Sequence, residues 1–143
     1  MKPEQQIAHT SHTEINLDQL GEIQPGLARL MVEVSDRYWI LFYAAKGGNW
    51  KLAALQCSEL EKALKIGAIT RPKYKANLEA FAQGPLSAIN KAIEAREWTA
   101  FESAFEAGTT AANAYHRKWG HEEIVWELPD DPPKHLKLSA PKG

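Results

Sequence analysis

Between Leu86 and Ala107 the chain carries neither glycine nor proline, yet its apolar residues cannot share one helix face. Leu86, Ile89 and Ile93 define one stripe, while Trp98, Phe101, Phe105, Gly108, Ala112, Tyr115 and Trp119, spaced alternately three and four apart, define another. At ~100° per residue the second stripe lies roughly 100° round from the first, so a continuous helix would bury only one of them. A tight turn is expected near Ala95 to Glu97, folding two helices back on each other.

The same periodicity organises the chain upstream. Leu27, Leu30, Met31, Val34, Tyr38, Leu41, Phe42 and Ala45 recur at helical spacing. Pro25 suits the first position of that helix, Gly47-Gly48 its end, and Asn49 the cap of the next. The second helix is expected from about Trp50 to Ile66, with Leu52, Leu55, Leu60 and Leu64 inward and Gly67 as its stop. Arg71-Pro72 opens a third helix carrying Tyr74, Leu78 and Phe81, which Gly84-Pro85 breaks or kinks. Beyond Gly120, Ile124, Trp126 and Leu128 alternate with Val125 and Glu127, an extended pattern, and Pro129, Pro132 and Pro133 forbid further helix. The expected fold is all-α: an antiparallel four-helix bundle over residues 25–120. A polar arm, residues 1–24, precedes it, and an extended Pro-rich tail, residues 121–143, packs on it.

Composition narrows the function classes. With 17 basic and 18 acidic residues the net charge is −1, which offers no basic surface for nucleic acid. No run of 18 apolar residues could span a membrane, and residues 1–24 lack a secretory apolar stretch, so the chain reads as cytoplasmic. Cys57 is the only cysteine, which rules out an internal disulfide, a Cys-based zinc site and an iron–sulfur cluster. No GxSxG, GxGxxG or Walker element is present, and the chain reads as a non-enzyme.

Three groups of residues remain to be explained. On the first long helix, Val32, Trp39 and Tyr43 project on a second apolar flank. A helix apolar on two sides is covered on both, here by the N-terminal arm, by the segment around Trp126, or by a second subunit, with a homodimer as the expectation. Lys62, Lys65, Arg71, Lys73 and Lys75 cluster around one loop, diluted by Glu59 and Glu61. His116, His121, Glu122 and Glu123 hold metal-binding donors without the i, i+4 spacing that puts two ligands on one helix face, and His9 and His12 lie on the arm.

Two stretches together, Arg37 to Leu64 and Ala92 to Pro133, resemble small bacterial c-type cytochrome-like proteins built as four-helix bundles, akin to cytochrome c-prime. In that family the last helix carries a Cys-x-x-Cys-His haem-attachment motif, often with Asn after the first Cys. The matching stretch is Ala112-Asn113-Ala114-Tyr115-His116, where only Asn113 and His116 remain. Two thiols are needed for the thioethers and an imidazole for the iron, so covalent haem is excluded. The resemblance implies a former haem space lined by Phe42, Phe105, Ala112, Asn113, Tyr115, His116 and Trp119. The expectation is that side chains have refilled it, with no cofactor, leaving a haem-free binding or protein-interaction module. The alternatives are a reduced pocket for a small apolar ligand, or for non-covalent haem held by His116 as axial ligand in redox or gas sensing. A metal-dependent hydrolase using His116, His121 and Glu122 is a third class.

Overall fold

The computed structural model describes residues 6–142 and is mostly helical. A two-stranded hairpin, β1 (Ile7–His9) with β2 (Glu14–Asn16), leads into α1 (Leu17–Ile23). The main helices are α2 (Leu27–Lys46), α3 (Trp50–Thr70), α4 (Lys75–Phe81), α5 (Ser87–Ala95) and α6 (Trp98–Lys118). α2 packs along α3, α5 along α6, and α3 also meets α4 and α5. α6 touches α2 and α4, closing the helical body around one apolar core. Phe101, Leu41, Leu60, Leu86, Ile89 and Val34 are its largest fully buried side chains.

The turn expected from the shift in helical phase lies where the two stripes require it. α5 ends at Ala95, Arg96 takes a left-handed conformation (φ 55°), and α6 starts at Trp98. The amides of Arg96 and Glu97 bond back to Ile93 and Ala92, so the reversal is closed without glycine. Asn49 caps α3 as expected, its Oδ1 accepting from the Leu52 amide at 3.1 Å.

Several boundaries differ from the sequence reading. α2 begins at Leu27 with Gly26 as its cap, so Pro25 lies outside the helix. Gly67 does not stop α3, which continues to Thr70. It is a buried contact point instead: a Cβ there would sit 2.8 Å from Leu27 and 3.3 Å from Leu78, so α2 and α4 approach α3 through its missing side chain. Leu55, expected inward, is 53% exposed. At Gly84-Pro85 the helix is neither broken nor ended. Residues Ala82–Leu86 form a π-helical turn between α4 and α5. A proline lacks the N–H for an α-helical bond and its ring clashes with the carbonyl four residues back, and the wider turn accommodates both.

The polar arm has structure of its own. Asn16 and Gln19 form a reciprocal capping box at the start of α1. None of its described residues is buried, and residues 1–5 lie outside the described part of the chain.

Candidate functional site

The site is assembled from α2, α6 and the extended segment that follows α6. Tyr38 on α2 and Phe105 on α6 stack at 4.3 Å between ring centroids, 16° from parallel. The approach requires Gly108, where a Cβ would lie 2.5 Å from the Tyr38 hydroxyl. That hydroxyl donates to the Phe105 carbonyl at 2.7 Å, and the Thr109 hydroxyl donates to the same oxygen at 3.0 Å. Burial pushes the Tyr38 phenol well above its ordinary range, partly opposed by its hydrogen bond with Thr109. It is a structural hydroxyl, held neutral.

Trp126 closes the other face of this pair, its ring 4.8 Å from that of Tyr38. What holds it there is the stretch Ala112 to His116 on α6. Asn113 pairs with the Trp126 backbone through both ends of its amide: Oδ1 accepts from the Trp126 N–H at 2.7 Å and Nδ2 donates to its carbonyl at 3.2 Å. His116 Nδ1 donates to the Ile124 carbonyl at 3.1 Å, and its ring stands edge-on to Trp126 at 5.8 Å. Burial holds the His116 imidazole below its ordinary value, against the pull of the Ile124 bond, with His121 lowering it further. Asn113 and His116 thus serve as backbone receptors for residues 124–126.

Farther on, the Tyr43 hydroxyl donates to the carbonyls of Pro129 and Asp130, and the Asn49 side chain donates to the Lys137 carbonyl at 3.2 Å. A bridge between Gly48 and Ser139 completes the seam. Residues 121–139 therefore form a strap running from the end of α6 to the α2–α3 loop. Tyr43 is 8% exposed beneath it, and Trp39 is half-buried beside it with its ring edge-on to Tyr43 at 6.1 Å. Of the flank Val32, Trp39 and Tyr43, only Val32 stands free, at 64% exposure. The cover comes from within the chain.

Phe42, Phe105 and Ala112 are buried in the core, and Tyr115 packs against it half-exposed. Trp119, expected on the same inward stripe, lies off it: its ring meets Tyr74 edge-on at 4.6 Å and its Nε1 donates to Asn77 at 3.0 Å. It seals the outer end of α4 rather than the core. The contribution of Trp126 and Thr109 was not legible from helix phase. The alternation around Trp126 announced an extended segment, but nothing in it named Asn113 as its partner.

The residues present do not fit a haem. Ala112 and Tyr115 offer no sulfur, Cys57 is buried on α3, and the Tyr38–Phe105–Trp126 stack occupies the interior beside His116. The pocket left along the strap measures about 240 Å³ and is lined by Tyr38, Trp39, Phe105, Thr109 and Trp126 among others. That is smaller than the ~300–1,000 Å³ typical of drug-sized ligands. Burial drives the Cys57 thiol up to about 12, with Glu61 and Glu94 adding to the effect, so it is not a thiolate nucleophile.

The basic cluster is dispersed among intrachain partners. Lys62 pairs with Glu59, Lys65 with Glu61 and Lys75 with Glu79, while Lys73 lies over the Tyr74 ring. Arg71 donates to Gln24 at 3.0 Å, pinning the end of the arm. His121 and His9 pair with Glu123 and Glu14 respectively. Among the described residues, no three His, Cys, Asp or Glu side chains are grouped as metal ligands, and no helix is long and apolar enough to cross a membrane. No family model, curated protein or solved structure matches the chain.

Proposed function

We propose that this chain is a haem-free relative of the cytochrome c-prime-like proteins, acting as a non-enzymatic binding or protein-interaction module. In this reading α2, α3, the α4–α5 pair and α6 are the four helices of an antiparallel bundle. The observation that carries it is the strap: Asn113 and His116, at the positions of the attachment motif, bond to backbone at Trp126 and Ile124. The Trp126 indole then lies against Tyr38, where a planar cofactor would otherwise stack. A cytoplasmic location and pairing through the Val32 side of α2 belong to the same reading.

An absorption spectrum from 250 to 700 nm, before and after adding haem to untagged protein, tests it. The expected result is no saturable Soret band. A band that saturates at one equivalent and disappears in His116→Ala would overturn the proposal in favour of non-covalent haem with His116 as axial ligand.

A further inference from the structure

The pocket beneath the strap has a chemical character of its own. Tyr38 is packed against both Phe105 and Trp126, so its ring faces are taken up within the wall of the pocket. The indoles of Trp39 and Trp126 line the space together with the rings of Tyr38 and Phe105, with Ser35 and Thr109 as its hydroxyls and Glu127 also on its lining. The first half of the strap is acidic: Glu122, Glu123, Glu127, Asp130 and Asp131 fall between His121 and Pro132 without a lysine or arginine among them, and Lys134 and Lys137 follow only beyond Pro133.

On α2, Arg37 and Lys46 have partners of their own, and on α6 the His116 ring stands edge-on to Trp126 at 5.8 Å. Arg37 donates to Glu33 and Gln56 on the side toward α3. Lys46 lies 5.9 Å over the Tyr43 ring, at the far end of the same flank. An aromatic wall attracts cations through the negative face of its ring, and a carboxylate on the same lining adds to that field. A volume of about 240 Å³ suits a small solute.

We infer that the pocket between Trp39 and Trp126 binds a small organic cation of the N-methylated ammonium class, with the two indoles as its walls and Glu127 as its counter-charge. This rests on the proposed function only in requiring the strap to be seated. The haem titration and the cation titration report on different signals, so either can fail alone.

The test is a titration of the full chain with choline, followed through the tryptophan indole N–H resonances, beside 3,3-dimethylbutanol as a neutral isostere. The expected result is a saturable shift of the Trp39 and Trp126 signals, with the neutral isostere weaker by about tenfold or more. Trp39→Ala, read on Trp126, is expected to weaken choline by about tenfold. Glu127→Gln, at an exposed position that leaves the fold intact, is expected to weaken it about threefold. No saturable shift, or equal binding of the neutral isostere, would overturn the inference. So would binding to phosphatidylcholine vesicles without a response to free choline, which would identify a membrane headgroup instead.

Discussion

The chain on either side of the helical body is polar and largely non-helical, yet the two flanking regions are built in opposite ways. The arm, residues 6–24, satisfies itself. Its hairpin, the Thr10 turn bonds and the Asn16–Gln19 capping box are all internal, and its one hydrogen bond to the body is Gln24 with Arg71. The strap has no ladder of its own. Its carbonyls and amides are met by His116, Asn113, Tyr43 and Asn49, side chains from α6, α2 and the α2–α3 loop. It also brings Trp126 and Leu138 onto the core and buries Pro133. Polarity and proline content therefore do not tell a decorative segment from a structural one. The difference lies in where the backbone finds its partners.

Deletion is the bluntest way to break this comparison. Removing residues 121–142 exposes the Tyr38–Phe105 pair and strands Asn113, and is expected to cost about 4 kcal/mol or more, the scale of losing a large buried aromatic. Removing residues 1–23, which leaves Gln24 in place, is expected to cost less than about 1 kcal/mol, as for other exposed changes. Urea unfolding midpoints of the two truncated chains decide it, and comparable losses would erase the distinction.

A finer cut is Asn113→Leu, which keeps the side-chain volume but leaves the Trp126 amide and carbonyl without partners. About 2 kcal/mol is expected from two unsatisfied backbone groups. A loss below about 0.5 kcal/mol would mean that the strap is held by its indole alone.

The smallest expected effect is a pH dependence. His116 has its folded value depressed below the ordinary 6.5, chiefly by burial, so between the two values the unfolded chain binds the extra proton. Stability from this residue is full above pH 6.5 and declines as the pH falls below it, levelling off beneath the folded value. Comparing unfolding of the native chain and His116→Gln at pH 7.5 and 5.0 isolates it. The native chain should lose more on acidification, and identical losses would show that the imidazole does not feel the strap.

How much of this was legible depended on whether a feature was local. The reversal at Arg96 was readable because a phase shift in the apolar pattern is written in consecutive residues, and Asn49 was readable as a cap for the same reason. Gly67 misled because a glycine near a helix end signals a stop, whereas its buried position here serves close packing with Leu27 and Leu78. Leu55 misled because helical spacing alone does not say how wide the covered face is. The flank of Trp39 and Tyr43 was correctly seen to need a cover, and the segment around Trp126 was one of three candidates. Choosing among them needed the Tyr43 bonds to residues 129 and 130, which join positions more than eighty apart in sequence. At the candidate site, the absence of thiols at positions 112 and 115 was plain from residue types. The use of Asn113 and His116 as anchors for the strap was not, because an amide or imidazole carries no mark of the backbone it will meet.

The strap also fixes an order of events during synthesis. Tyr38 leaves the ribosome before Phe105, and both precede Trp126, so α2 through α6 can gather while their aromatic seam is still bare. During that interval the Tyr38 ring has Phe105 as a partner but lacks Trp126. The final closure is a non-local one, slow to form relative to the helix hairpins. The window in which the seam is open to aggregation therefore closes only when residues 124–130 have docked across it.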